Sequence, residues 1–117
     1  MSPDLQPARK ATAAVMLGAR RLYLAEGANP LKHWEQLATR MRSAARRSCT
    51  VQEWLTSLLR SLGIANPDGA LSADVMRLQA EVIKVGSSAW LDMVEREHAY
   101  IIAMCQVEAE ERRARRS

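Results

Sequence analysis

Apolar residues recur at intervals of three and four along almost the whole chain, and stretches that alternate apolar with polar residues are nearly absent. An interval of three to four keeps side chains on one face of a helix, whereas a strand needs a period of two. The chain therefore reads as all-α, a four- to five-helix bundle with a long C-terminal helix. The stripe Ala8, Ala11, Val15, Gly18, Leu22 and Ala25 predicts a first helix from roughly Pro7 to Glu26, stopped by Gly27. Asn29 before Pro30 is an N-cap followed by a proline whose missing N–H costs nothing there. The second helix then runs from Pro30 to Arg47, with Leu31, Trp34, Ala38, Met41 and Ala45 facing inward.

Thr50 and Glu53 form a T-x-x-E capping box that starts a third helix, Val51 to Leu62, striped by Val51, Leu55, Leu58, Leu59 and Leu62. Gly63 followed by Ile64 predicts a Schellman-type end. After the turn cluster Asn66, Pro67, Asp68 and Gly69, Ser72 is the expected cap of a fourth helix reaching the arginine tail. Gly86, Ser87 and Ser88 allow that helix to split into segments 73–86 and 88–113.

At 117 residues the chain is expected to be one helical domain over positions 1–117, with a flexible start at 1–6 and a basic tail at 112–117. A chain of this size buries about two thirds of its unfolded surface, enough for one modest core and too little for a large multi-domain enzyme. No apolar run approaches the roughly 18 residues a membrane span needs, and the start MSPDLQPARK lacks a signal-peptide pattern. The expectation is a protein of the cytoplasm with no membrane partner and with Cys49 and Cys105 reduced.

Catalytic motifs are missing: the chain has no glycine-rich phosphate loop, G-x-S-x-G, C-x-x-C or H-E-x-x-H. The expectation is a non-enzyme with no cofactor and no metal. Glu95-x-x-His98 has the spacing of a di-iron helix ligand pair, but that chemistry needs two such pairs and two further glutamates. A solvated Glu and His in a polar turn is the better reading, and His33 reads as an exposed first-turn residue. The turn Glu95, Arg96, Glu97 and His98 interrupts the apolar stripe, which resumes with Tyr100, Ile101, Met104 and Val107. A turn polar all round is not buried without partners. Two readings follow: the helix leaves the bundle here and offers this second stripe to a second copy or a partner protein, or it packs within the chain.

Charge is distributed unevenly. The overall excess of +4 resolves into +6 over residues 1–60, −6 over 61–111 and four arginines in the last six positions, and 14 of the 17 basic residues are Arg. Such asymmetry suits a basic surface for a polyanion, or an acidic half that docks on the basic half of a neighbouring copy. Arg9 and Lys10 precede Arg20 and Arg21 by eleven residues, nearly a whole number of turns, so the pairs share a face about 16 Å apart. Helix two adds Lys32, Arg40, Arg42, Arg46 and Arg47. With helices one and two as antiparallel neighbours, these side chains would line a groove. Arginine grips phosphates bidentately, so nucleic acid is the candidate ligand, weighed against a merely solvated charged face. Base reading is disfavoured: helix three carries only Arg60 as a cation, and the link Ser48, Cys49, Thr50 lacks the glycine usual in a helix-turn-helix.

A small, basic, all-helical chain without catalytic motifs, carrying the segments ARK, GARR and RMRSAARR and a long helix suited to self-association, resembles the small helical subunit of class 1 CRISPR effector ribonucleoproteins. The resemblance is one of profile over the whole chain and carries over no individual residue. It implies a non-enzymatic subunit, present in several copies, that lies along a filament and helps hold RNA or single-stranded nucleic acid beside other protein subunits and copies of itself. The alternative is a helical protein-binding regulator or inhibitor, phage or bacterial, that docks its Tyr100 to Val107 stripe into a partner.

Overall fold

The computed structural model describes residues 4–24 and 29–116. They form five helices, α1 (Gln6–Tyr23), α2 (Pro30–Arg47), α3 (Val51–Leu62), α4 (Gly69–Val85) and α5 (Ser87–Arg116), with no strand among the described residues. The first helix ends at Tyr23 with Leu24 extended (φ −67°, ψ 114°), short of the predicted Glu26, and Gly27 lies outside the described residues. Four of the helices start where a short side chain takes up N–H groups that the first turn leaves unpaired. Asp4 Oδ1 accepts from Gln6 N (3.0 Å), Asn29 Oδ1 from Leu31 N and Lys32 N (3.0 and 3.2 Å), and Thr50 Oγ1 from Glu53 N (3.1 Å). Asp68 Oδ1 accepts from Leu71 N (2.8 Å), so α4 begins at Gly69 and its cap is Asp68, not Ser72.

The other predicted breaks fall where glycine supplies a positive φ. Gly63 (φ 75°) closes α3 while Ile64 N donates back to Leu59 O (2.9 Å), as a Schellman turn requires. Gly86 (φ 92°, ψ 143°) separates α4 from α5, a backbone conformation that a residue with a Cβ rarely adopts. The fourth predicted helix is thus two helices.

α1 occupies the middle of the bundle, packed chiefly on α4 and α5, while α2 packs on α5 and α3. Small residues make that position possible. Ala8, Ala13, Gly18 and Ala19 are buried, and a Cβ on Gly18 would stand 3.1 Å from Leu71 Cδ1, so α1 and α4 approach closely there. Trp54 and Trp90 meet edge to face at 5.2 Å in the core, both fully buried. Trp90 Nε1 donates to Thr12 Oγ1 (3.1 Å), whose hydroxyl donates to Ala8 O (2.7 Å), so a buried threonine serves two polar groups at once.

Two stripe positions differ from expectation. Leu31 is exposed because it sits in the first turn of α2, and Leu22 is exposed near the end of α1. Leu37 and Ala44, absent from the predicted stripe, are buried because α2 is covered on two sides, by α3 and α5.

α5 does not leave the bundle after its polar turn: Ile101, Ile102 and Cys105 beyond it are buried, as are Trp90, Met93 and Val94 before it. The helix instead bends at Glu97 (φ −113°, ψ 19°), where neither proline nor glycine is present. The carboxylate of Glu97 there turns to Arg9 on α1. The predicted tail at 112–116 continues α5 as helix. No helix among the described residues is long and apolar enough to cross a membrane.

Candidate nucleic-acid interface

The basic residues of α1 do not form one rail. Eleven-residue spacing does repeat the direction, but it points one member of each pair inward. Arg9 lies half-buried against Glu97, with Nε to Oε2 at 3.1 Å and Nη2 to Oε1 at 2.9 Å, a forked ion pair. Arg20 is 8% exposed, and its guanidinium lies 4.3 Å from the centre of the Trp34 ring. Burial, and then the nearby Arg113 guanidinium, lower the pKa of Arg20 from the usual arginine value. Lys10 and Arg21 are the outward members and are exposed.

Nor do α1 and α2 enclose a common groove: α5 packs against both, and contact between α1 and α2 is slight. The two sets of cations therefore occupy separate surfaces. The opposed charges of the two halves meet within the molecule, since Arg9 and Arg46 of the basic half pair with Glu97 and Glu95 of the acidic half. The acids that would have docked on a neighbouring copy are answered in part inside the chain. His98 Nδ1 lies 3.1 Å from Glu95 O, and Glu95 gives its carboxylate to Arg46, so this i, i+3 pair is engaged otherwise than as ligands. Among the described residues no three His, Cys, Asp or Glu side chains converge on one point.

α2 keeps an open basic face. Its inner side is held by Trp34, Leu37, Met41, Ala44 and Ala45, which leaves Lys32, Arg42, Arg46 and Arg47 exposed on the other side with Glu35 as the one carboxylate of the helix. Arg46 pairs with Glu95 at 3.1 Å, but both groups are about half-exposed, and such a pair contributes at most about 1 kcal/mol. Beside this face, α2 and α3 border a groove of about 480 Å³. Its walls carry Arg40, Arg47, the hydroxyls of Thr39, Ser43, Ser57 and Ser61, and also the Glu35 carboxylate and Gln36. Arg40 donates to the Ser61 carbonyl at the end of α3, which fixes that wall. From Lys32 to Arg47 the face extends about 22 Å along the helix.

The hydrophobic residues of the second α5 stripe divide between two sides. Ile101 is fully buried and belongs to the core, whereas Tyr100 and Val107 are exposed and Met104 is half-buried. The latter three line a groove of about 620 Å³ between α1 and α5, rimmed by Lys10, Arg77, Glu108, Glu111 and Arg115. One arginine cluster was not visible from spacing alone. Arg20 and Arg21 at the end of α1 share a cleft with Arg112 and Arg113 of α5, because the C-terminal parts of the two helices meet.

The thiols differ in setting. Cys105 is buried, its Sγ donates to Ala13 O (3.1 Å), and burial pushes its pKa up to about 12. Cys49 is exposed next to the Glu53 carboxylate, which accepts from both its Sγ and its N, so Glu53 reaches one residue further back than a capping box requires. That hydrogen bond raises the thiol pKa of Cys49 and lowers the carboxyl pKa of Glu53. No family model, curated protein or solved structure matches the chain.

Proposed function

We propose that the protein is a non-catalytic helical subunit of a cytoplasmic ribonucleoprotein assembly, holding the backbone of RNA or single-stranded nucleic acid along α2 without reading bases. The observation that carries this reading is the outward face of α2, where Lys32, Arg42, Arg46 and Arg47 stand beside a hydroxyl-rich groove with a single carboxylate, Glu35, on the same helix. Arginine forks and hydroxyl donors satisfy phosphate oxygens, and contacts of this kind position a nucleic acid without specifying its sequence. The exposed aromatic surface is small: the three tryptophans are all buried, which removes the stacking platforms that sequence-tolerant single-strand binders often add.

The test is fluorescence anisotropy with a single-stranded RNA over a salt series. Four neutralised phosphates give a slope of log affinity against log salt near about −3. Replacing Lys32, Arg42 and Arg47 together by Gln should flatten that slope and weaken binding while leaving the fold intact. A slope near zero in the native protein would overturn the reading.

The groove bordered by Tyr100, Met104 and Val107 supports a second reading, a helical regulator that binds a partner protein there. That reading predicts a stoichiometric protein complex that is indifferent to RNA and is lost on Tyr100→Glu.

A further inference from the structure

α4 is apolar on two opposite sides. One side, Leu71, Val75, Leu78 and Val82, is buried and packs chiefly against α1. The other is in water: Met76 and Ile83 are the two most exposed large apolar side chains among the described residues, at 71% and 83%. They are not isolated as Leu31 is in the first turn of α2. Exposed Ala73 and Ala80 complete the series Ala73, Met76, Ala80 and Ile83, whose intervals of three, four and three make a straight seam about 15 Å long. A seam of that spacing is the surface that one helix offers to another.

The pattern of the seam selects the helix that fits it. Large and small residues alternate, so a second α4 running antiparallel sets Ala73 against the partner's Ile83 and Met76 against the partner's Ala80, each large side chain over a small one. Both contacts are centred on position 78, so one twofold axis satisfies them together. A parallel pairing would set Met76 on Met76 and Ile83 on Ile83 and leave gaps between the alanines. The charges along one edge of the seam alternate too, in the order Asp74, Arg77, Glu81 and Lys84. Reversing the direction brings Arg77 beside the partner's Glu81 and Lys84 beside the partner's Asp74, in a register within about 1.5 Å of rise of the same axis. Inside one copy these groups pair at i, i+3, but the Arg77 and Lys84 side chains are 72% and 70% exposed, so they exchange partners at little cost. Two cations and two acids leave α4 neutral, which gives neither a polyanion nor an anionic membrane a grip on this face.

We propose that two copies of the chain associate as a twofold dimer through antiparallel α4 helices. A seam this short covers less than the roughly 800 Å² per partner of stable complexes, so the dimer forms and dissociates with concentration. The α4 surface is separate from the cations of α2, and the proposal does not rest on the reading of that face.

Sedimentation equilibrium of the full chain over a hundredfold range of concentration tests the dimer, and monomer should pass to dimer within it. Ile83→Glu changes a side chain that the fold leaves in water and should weaken association about tenfold with the circular dichroism spectrum unchanged. Met76→Lys should do the same, which keeps the test decisive if Ile83→Glu disturbs the helix. Tyr100→Glu, in the groove between α1 and α5, should leave association unaltered. Cysteine cross-linking in a Cys49→Ser background reads the direction: a mixture of Met76→Cys and Ala80→Cys chains should cross-link faster than either chain alone. A monomer at every concentration overturns the proposal and leaves the face to a different protein. A dimer indifferent to both α4 variants, a dimer lost in Tyr100→Glu, or fastest cross-linking in Met76→Cys alone overturns it as well, whatever the α2 salt slope shows.

Discussion

The cations of α1 and those of α2 are arranged by the same helical arithmetic, yet they have opposite fates. On α1, Arg9 is locked to Glu97 and Arg20 is folded onto Trp34, so half of each pair becomes internal structure. On α2, Lys32, Arg42 and Arg47 face solvent, and Arg46 makes only a half-exposed pair. The difference lies in what stands opposite. α1 is packed on α4 and α5 and must account for every polar group it turns inward, whereas α2, packed on α3 and α5, still leaves the face that carries Lys32, Arg42, Arg46 and Arg47 to solvent. Spacing determines whether cations point together; the neighbouring helix determines whether they remain available.

The largest effect expected from this contrast is chemical. Cys105 reports on the covered side through its bond to Ala13 of α1, and Cys49 follows the end of α2. With an ordinary thiol value of 9 raised to about 12, Cys105 carries roughly 10³-fold less thiolate at pH 8. Alkylation of the native protein should modify Cys49 first and leave Cys105 untouched until the bundle opens; mass spectrometry of the labelled peptides reads this. The same shift sets a pH dependence. The folded thiol keeps its proton where the unfolded one releases it, so this contribution to stability is complete below about 9 and is lost as pH rises towards 12. Cys105→Ala should flatten that alkaline loss.

Trp34→Ala comes next. It empties a core position and removes the ring beneath Arg20, at a cost of about 4 kcal/mol in urea unfolding. Arg9→Ala leaves the half-buried Glu97 without its fork and should cost about 2 kcal/mol. The double change Arg9→Ala with Glu97→Ala should cost less than the two single losses added together. Arg46→Ala breaks a pair open to water and should cost about 0.5 kcal/mol. Arg42→Ala should change stability by less than about 0.5 kcal/mol. An Arg42→Ala cost equal to that of Arg9→Ala would erase the distinction between the two helices.

How much of this was legible in advance depends on whether the deciding atoms are near in sequence. Asn29, Thr50 and the Gly63–Ile64 end act within a few residues of themselves, and each forms as local rules predict. Gly86 marks the break between α4 and α5 for the same reason. The choice between Asp68 and Ser72 is not local, since both are competent caps. Capping at Asp68 places Leu71 within α4, where it is fully buried against Gly18 of α1. The polar turn of α5 was visible, but its meaning depended on Arg9, 88 residues away. The same holds for the arginine cleft, whose two pairs sit at opposite ends of the chain. Periodicity could mark Ile101 as apolar but could not decide which side of α5 would face the core.

The edge-to-face contact of Trp54 and Trp90 gives the molecule a built-in optical gauge. Two fully buried indoles 5.2 Å apart, in a chain whose third tryptophan lies under a guanidinium, are fixed chromophores in an asymmetric surrounding. Near-ultraviolet dichroism and indole emission therefore follow the closure of the core without any label. Loss of the dichroic bands with helical content retained would distinguish a loosened bundle from an unfolded one.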